Sequence, residues 1–256
     1  MRDPTQRFTG RVGNYARYRP SYPRAILTLL ETECDLTSAS VIADVGSGTG
    51  ILSELFLENG NRVFGVEPNT EMREAGENRL EHYPRFMSVA GTAEATTLDD
   101  ACVDFVTAGQ AFHWFDVKRT QTEFGRFLRP GGWVVIIWNA RRRDTTPFLA
   151  AYERLLREHG TDYEQVEHGR SGAGMVDEFF GSDGYETKTF DNAQTFDLDG
   201  LKGRLLSSSY VPGERELGSG AMLREAEELF REYQSDGRVT IEYDTKVYYG
   251  HLTSTA

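Results

Sequence analysis

Residues 40–50, SVIADVGSGTG, place an almost continuously apolar run directly before a glycine-rich turn. Asp44 alone interrupts the run at 40–45, which is typical of a parallel strand covered on both faces. Residues 51–60 carry their apolar side chains on one stripe and so predict a helix that ends near Gly60. Glycines between a strand and a helix let the backbone approach a ligand closely, and the start of the helix offers unpaired N–H groups. The stretch therefore predicts a ligand site at the carboxyl end of a buried strand.

Strands and helices continue to alternate on the carboxyl side of this stretch. Further strands are predicted at residues 62–67, 85–90, 103–109 and 133–139, and helices at residues 70–80 and 116–128. This alternation predicts a doubly wound α/β sheet. Residues 129–132, RPGG, read as a turn before the last of these strands.

The pattern is less regular after residue 139. Helices are predicted at 148–158 and 223–233, extended segments at 185–198, a long strand at 238–252, and a partly irregular, Gly-rich region at 163–184. A late helix followed by a β-rich end predicts that an antiparallel strand completes the sheet and that inserted helices form a cap.

Composition and charge exclude several classes of protein. With 39% hydrophobic and 27% charged residues, the 256-residue chain can build a core and is not a disordered protein. The longest apolar run, residues 133–138, is far shorter than the roughly 20 residues that span a bilayer, so no membrane partner is expected. The first seven residues lack a signal-peptide core, and two cysteines make no disulfide framework, which predicts a cytoplasmic protein. A net charge of −12 disfavours a nucleic-acid partner, and no Cys/His spacing indicates a metal.

An acidic residue at the end of the second predicted strand suggests what the glycine loop binds. Glu67 lies 21 residues after Gly46, and a carboxylate there can accept hydrogen bonds from two ribose hydroxyls. The loop reads G-x-G-x-G rather than the dinucleotide pattern G-x-G-x-x-G, and Asp44 precedes it by two residues. A buried carboxylate disfavours a pyrophosphate and suits a ligand with an ammonium group. These residues predict a nucleoside that carries an amino group, while a nicotinamide dinucleotide remains the alternative.

Six stretches resemble the class I S-adenosylmethionine-dependent methyltransferases, and most closely their small-molecule branch called methyltransferase type 11, which includes trans-aconitate-type enzymes. They are YARYRPSYP (15–23), VIADVGSGTG (41–50), FGVEPN (64–69), GTAE (91–94), GQAFHWFD (109–116) and LRPGGWVVIIWN (128–139). The resemblance covers about residues 8–140. It implies a Rossmann-like, doubly wound, seven-stranded sheet, mostly parallel with one antiparallel strand, and a helical cap. The implied organisation is an N-terminal arm or lid at 1–30, a cofactor-binding core at 31–140, and cap insertions with sheet-completing strands at 141–256.

The resemblance also assigns roles in binding S-adenosylmethionine, with S-adenosylhomocysteine as the product. Gly46, Gly48 and Gly50 would lie against the methionine and ribose portions. Asp44 would act near the ammonium group, directly or through water, and Glu67 would bind the ribose hydroxyls.

The remaining implied cofactor contacts come from later strand ends. Pro68 and Asn69 would wall the adenine, Ala93 and Glu94 match the position at the adenine edge, and Gln110 matches the position that faces the methionine moiety.

The N-terminal arm would close over the cofactor. The resemblance implies this role for Tyr15 and Arg19, with Arg19 turned toward the carboxylate of the cofactor.

The sequence indicates the residues that would bind the methyl acceptor less clearly than those that would bind the cofactor. His113 and Trp114 follow the fourth strand, where family members hold the acceptor. His113 is a candidate catalytic base, because an imidazole titrates near neutrality, or else it packs its loop. Trp114 either walls the acceptor site or belongs to the core. Arg204, in the cap, is a candidate partner for an acceptor carboxylate, and residues 141–143, RRR, are either a solvated face or a second such site.

Taken together, the residues predict a methyltransferase that acts on a small-molecule acceptor by in-line methyl transfer. The acceptor is predicted to be a small organic acid or another modest polar metabolite held by at least one arginine. Two alternatives remain: a non-catalytic S-adenosylmethionine-binding protein, and a nicotinamide-dependent oxidoreductase, which the G-x-G-x-G spacing and GTAE disfavour. The sequence allows a monomer or a homodimer.

Overall fold

A seven-stranded sheet forms the centre of the computed structural model, which describes residues 12–161, 163, 173–181, 184–214 and 216–252. The strands are β1 (Val41–Val45), β2 (Arg62–Val66), β3 (Phe86–Val89), β4 (Val103–Gly109), β5 (Leu128–Arg141), β6 (Tyr185–Phe196) and β7 (Val239–Gly250). Their order is β3-β2-β1-β4-β5-β7-β6, and β7 is antiparallel to both of its neighbours while the β1 to β5 pairs are parallel. The predicted Rossmann-like, doubly wound sheet with an antiparallel strand is thus confirmed.

Helices cover both faces of this sheet. They are α1 (Val12–Tyr18), α2 (Ala25–Glu33), α3 (Ile51–Glu58), α4 (Thr70–Leu80), α5 (Val117–Phe127), α6 (Pro147–His159), α7 (Ala173–Phe180), α8 (Leu198–Leu206) and α9 (Ser219–Tyr233). On β5, Val134 and Ile136 face a core shared with α5 and α7, whereas Val135 and Ile137 face a core shared with α2 and α3. Burial on both faces explains why residues 133–138 of this strand are all apolar.

A third core lies in the predicted helical cap. Helices α6, α8 and α9 bury Tyr152, Leu205 and Met222 against the far ends of β6 and β7, including Ile241 and Tyr243. The cap therefore packs on the antiparallel end of the sheet.

The two N-terminal helices pack differently. Helix α2, which spans the predicted boundary between arm and core, buries Ile26 and Leu30 in the core beneath the sheet. Helix α1 has no buried residue. It bridges the core and the cap, because Arg79 Nη1 of α4 donates to the carbonyl of Ala16 at 3.2 Å and Gln194 Nε2 of β6 donates to the carbonyl of Tyr18 at 3.2 Å. Residues 1–11 of the predicted arm lie outside the described residues.

Two segments differ from the sequence-based expectation. Residues 129–132, expected as a turn, lie within β5, where the register shifts because Leu128 pairs with Val103 and Trp133 pairs with Phe105. Within the region expected to be partly irregular, α7 forms because its apolar residues Val176, Phe179 and Phe180 pack against the sheet. No helix in the described part of the chain is long and apolar enough to cross a bilayer.

Candidate active site

A cavity of about 200 Å³ lies at the carboxyl edge of the parallel strands. Its lining includes twelve of the residues singled out from the sequence: Tyr15, Arg19, Gly46, Gly48, Glu67, Pro68, Asn69, Ala93, Glu94, Gln110, His113 and Trp114. A smaller cavity of about 30 Å³ shares Arg19, Gly46 and Gln110 with the first and adds Asp44. Gly50 and Arg204 line neither cavity.

The glycine loop has a left-handed backbone that only glycine adopts without strain. The φ angles of Gly46, Gly48 and Gly50 are 70°, 56° and 78°. A Cβ atom at Gly46 would lie 2.5 Å from the Ala111 side chain, and one at Gly50 would lie 2.6 Å from Leu80. A Cβ atom at Gly48 would meet only the end of the Met72 side chain, at 3.3 Å. Gly46 and Gly50 thus permit close packing, whereas Gly48 leaves room in the cavity.

Glu67 is fixed in place by the backbone on both sides of it. The N–H of Gly48 donates to Glu67 Oε2 at 2.9 Å, and the N–H of Asn69 donates to Oε1 at 2.9 Å. A carboxylate accepts about four hydrogen bonds, so each oxygen retains capacity for one more. Burial raises the pKa of the Glu67 carboxyl, while the two backbone donors act in the opposite direction. The arrangement is a rigid acceptor pair at the cavity wall.

Asp44 is a buried acid beneath the glycine loop, 1% exposed. Ser53 Oγ donates to its Oδ2 at 2.6 Å, and Thr107 Oγ1 donates to Oδ1 at 3.3 Å. Burial raises the pKa of Asp44 to about 6, and the charge of Glu67 adds to the rise. A buried carboxylate of this kind gains from a cationic partner, because a positive charge favours its ionised form.

The end of β4 turns sharply at Gln110, whose φ is 57° although it is not glycine. Its N–H donates to the carbonyl of Ile137 at 3.0 Å, and its Nε2 donates to the carbonyl of Asn139 at 3.1 Å. These bonds hold a strained backbone at the cavity wall, a feature that concentrates at functional sites. The loop then forms the 3₁₀ turn Phe112–Trp114, in which the ring centres of His113 and Trp114 lie 4.4 Å apart.

The loops after β3 and β4 are tied together at the opposite wall. Glu94 Oε1 accepts from the N–H of Asp116 at 2.9 Å, and Asp116 in turn caps α5 through the N–H of Arg119 at 3.0 Å. The carboxylate of Glu94 therefore orders this wall, while Ala93 beside it is 3% exposed.

Helix α1 supplies the third wall. The guanidinium of Arg19 lies 4.9 Å from the ring centre of Tyr15, and Arg19 Nη2 donates to the carbonyl of Ser207 at 2.8 Å. Arg19 therefore contacts both the cleft and the end of α8.

Arg204 lies in the cap core, 4% exposed. Its Nε donates to Tyr243 Oη at 3.1 Å and its Nη1 donates to Ser208 Oγ at 3.0 Å. It stands apart from the cleft that contains His113 and Trp114, so the structure does not bring all the predicted acceptor residues together.

Met72 is a cavity residue that the motifs did not indicate. Its N–H donates to Asn69 Oδ1 at 2.9 Å, so Asn69 caps α4. The cap fixes where α4 begins and thereby places Met72 beside the glycine loop. In the sequence, the indication of this cap was an Asn two residues after the predicted strand and directly before the predicted helix.

Known proteins share both the sequence and the fold of this region. Residues 43–136 match the family model of the methyltransferase domain. An uncharacterised methyltransferase of Mycobacterium tuberculosis is 41% identical over 141 residues, which are 55% of this chain and 55% of that protein. An uncharacterised methyltransferase-like protein of Schizosaccharomyces pombe is 30% identical over 152 residues, 59% of this chain and 58% of that protein. The match thus spans about half the length of these curated relatives.

Solved structures extend the likeness of the fold over most of the chain. A protein from Anaeromyxobacter dehalogenans described as a type II methyltransferase superposes with a TM-score of 0.71 at 24% identity, covering 91% of this chain and 98% of that chain. Phosphoethanolamine N-methyltransferase 2 of Haemonchus contortus, in complex with S-adenosylmethionine, gives a TM-score of 0.56 at 15% identity, covering 95% of this chain and 57% of that chain. At these identities the likeness establishes the fold.

Proposed function

We propose that this chain is a class I methyltransferase that transfers a methyl group from S-adenosylmethionine to a small-molecule acceptor, since residues 43–136 match the model of the methyltransferase domain and the fold is similar to that of solved methyltransferases. The observation that carries the proposal is the junction of Glu67 with Gly48 and Asn69 at the cavity wall. This junction offers two carboxylate oxygens beside a glycine loop that leaves the cavity open.

The proposed orientation of the cofactor follows from the lining residues. Its ribose hydroxyls would donate to Glu67, and its adenine would lie between Pro68 and Ala93. Its amino-acid end would lie in the smaller cavity, where Asp44 carries a negative charge above pH 6 and Arg19 carries a positive charge. An ammonium and a carboxylate on one ligand match this pair of charges.

The reaction needs little covalent chemistry from the protein. When bound, the cofactor supplies an activated methyl group for direct in-line displacement by the acceptor. The part of this chain is to align the acceptor and to exclude water from the cleft. His113, at the cleft wall, is positioned to take a proton from an acceptor that must lose one.

The size and charge of the site support a small acceptor. A cavity of about 200 Å³ that would also hold part of the cofactor suits a metabolite rather than a polymer as the acceptor. The net charge of −12 supports the same class, since it opposes the approach of nucleic acid.

Calorimetry with S-adenosylhomocysteine tests the cofactor site. Glu67→Ala removes the charged acceptor of the ribose hydroxyls, and a net loss of at least about 1.5 kcal/mol should raise Kd by about tenfold or more. Glu77→Ala is the matched control, because Glu77 is a half-exposed acid on α4 that bonds Ser88 outside the cleft. Equal affinity of both variants and the wild type would refute the site. A screen of acceptors with methyl-labelled cofactor then separates an enzyme from a protein that only binds.

A further inference from the structure

One face of the sheet is left partly uncovered at β2 and β3. On β4 and β5 the same face packs under α5 and α7. Residues 90–102 connect β3 to β4 without a helix, and Phe64 on β2 and Met87 on β3 stay only partly buried. An open groove of about 570 Å³ lies here, at the amino ends of β1, β2 and β3. This amino-end groove is lined by residues that include Ser38, Val41, Arg62, Pro84, Arg85 and Met87.

Two arginines stand side by side in the amino-end groove. Arg62 begins β2 and pairs with Val41 of β1. Arg85 directly precedes β3, and its carbonyl accepts from the N–H of Val63 at 3.0 Å, so Arg85 lies beside Arg62 on the neighbouring strand. Like charges at neighbouring strand positions repel and destabilise a sheet. An anion bound between the two guanidinium groups would remove this cost.

Neither arginine has a carboxylate within ion-pair distance in the part of the chain that the structure describes. Acids are abundant, with 40 acidic against 28 basic residues, and Arg79, for example, pairs with Glu54 at 2.5 Å. The acid near this end of the sheet, Asp104, accepts from the N–H of Val41 at 2.8 Å and from Arg129 at 2.7 Å. The two positive charges in the groove are therefore available to a ligand.

Both guanidinium groups are already held in place. Arg62 Nη2 donates to Met87 Sδ at 3.2 Å, and the guanidinium carbon lies 5.1 Å from the ring centre of Phe64. Arg85 Nη1 donates to the carbonyl of Gly60 at 2.5 Å. An arginine side chain carries five N–H donors, so each retains several for a ligand. Groups fixed before binding lose less conformational entropy when a ligand arrives.

The wall of the groove beside β1 is also fixed. The buried Asn61 donates through Nδ2 to the carbonyls of Thr37 and Ser40, at 2.7 and 2.9 Å. These bonds hold the turn that carries Ser38, whose hydroxyl is a further donor. The side chain of Met87 adds apolar surface. The groove thus combines two cations, a hydroxyl and an apolar floor.

We propose that the amino-end groove binds a phosphate monoester that has an apolar body. A phosphate monoester carries close to two negative charges, which match Arg62 and Arg85, whereas a carboxylate carries one. The forked guanidinium group also fits phosphate oxygens in a bidentate manner. The five residues of β2 span roughly 16 Å and separate the groove from Glu67 at the other end of the strand. The proposal therefore goes beyond the proposed function and does not depend on it.

Calorimetry at pH 8 and constant ionic strength tests the site. Phenyl phosphate, inorganic phosphate and benzoate are titrated into the wild type, Arg62→Gln, Arg85→Gln and the control Arg231→Gln. Arg231 is an exposed arginine that pairs with Glu227 on α9. Phenyl phosphate should bind the wild type about tenfold or more tightly than benzoate does, and more tightly than inorganic phosphate. Each groove variant should weaken this binding about tenfold, and the control should leave it unchanged.

Two further measurements separate this site from the cofactor cleft and from folding. The affinity for phenyl phosphate should be the same with and without saturating S-adenosylhomocysteine, because the sites are separate. Arg62→Gln and Arg85→Gln should keep or raise the Tm of the ligand-free protein, since each removes a like-charge contact.

Four outcomes would overturn the proposal. They are no binding of phenyl phosphate to the wild type, equal affinity for benzoate or inorganic phosphate, unchanged affinity in both groove variants, and displacement of phenyl phosphate by S-adenosylhomocysteine. Failure of S-adenosylhomocysteine itself to bind would overturn the proposed function and leave the titration of the groove unaffected.

Discussion

Asn in place of Asp44 should stabilise the ligand-free protein while it impairs the cofactor site. Asp44 is buried, and its two oxygens accept hydrogen bonds from Ser53 and Thr107. An Asn side chain keeps one of these bonds with its amide oxygen, and its NH2 group can donate to the hydroxyl oxygen of the other partner. The substitution therefore removes the negative charge with almost no change in shape.

The magnitude follows from the pKa of Asp44. Burial raises it from 3.8 to about 6, so the folded protein holds this proton more tightly than the unfolded chain does. The stabilising contribution is fully present below pH 3.8 and is lost as the pH rises through about 6. At about 1.4 kcal/mol per pH unit, the ionised carboxylate costs up to about 3 kcal/mol at pH 8, which corresponds to roughly 6–10 °C in Tm for a chain of this size.

Binding should respond in the opposite direction. If the ammonium group of the cofactor pairs with Asp44, the affinity for S-adenosylhomocysteine should rise with pH through about 6 in the wild type. In Asp44→Asn the affinity should be about tenfold or more lower at pH 8, and the contribution of Asp44 to the pH dependence should vanish. Any dependence that remains belongs to Glu67, whose pKa burial also raises.

Thermal unfolding and calorimetry between pH 5 and pH 8 measure both effects. Asp100→Asn is the control, since Asp100 is an exposed partner of Arg126. The reasoning fails if Asp44→Asn lowers Tm at pH 8, or if it binds S-adenosylhomocysteine as tightly as the wild type does. A gain in Tm of equal size at pH 4 would also refute it, because the carboxyl of the folded protein is largely neutral there.

Two further predictions concern α1 and the acceptor side. Gly203→Ala places a Cβ atom 2.1 Å from the Tyr18 ring, so α1 should shift with Tyr15 and Arg19 and the Kd for S-adenosylhomocysteine should rise about tenfold. Gly174→Ala on α7, which meets no atom within 4 Å, should leave Kd unchanged, and adding Tyr18→Ala to Gly203→Ala should restore it. His113→Ala should lower turnover but keep the S-adenosylhomocysteine affinity within about threefold, because cofactor and acceptor contacts are separate. If the acceptor must lose a proton, the wild-type rate should rise through the neutral pH range and this rise should disappear in His113→Ala, whereas a carboxylate nucleophile would give a flat profile.

Local backbone requirements explain why the glycine-loop side of the candidate site could be predicted from the sequence. Positive φ angles at Gly46, Gly48 and Gly50 demand glycine, and an acid at the end of β2 meets the loop at a fixed distance, so the motif and the geometry coincide. The sequence did not indicate that Gly50 permits close packing whereas Gly48 leaves space in the cavity. This difference arises because the side chain of Leu80, at the end of α4, packs against Gly50 and not against Gly48.

Elements whose formation depends on tertiary contacts were harder to predict. Helix α7 has eight residues in a Gly-rich region, and its stability comes from packing, with the ring of Phe179 centred 5.1 Å from that of Phe112. Likewise β5 begins at Leu128 because that residue pairs with Val103 across the RPGG segment, a partner that no local pattern reveals.

The surroundings of Arg204 also depend on tertiary contacts and could not be predicted from the sequence. Arg204 could be noted from its charge, but its surroundings come from α6, the segment after α8, and β7, with Tyr243 lying 39 positions further along the chain. The family match ends at residue 136, before Tyr152, Arg204 and Tyr243. The family model therefore covers the glycine-loop half of the molecule and not this cap core. In that cap core Arg204 is buried, and the buried hydroxyl of Tyr152 has no hydrogen-bond partner among the described residues, two features that packing alone does not require.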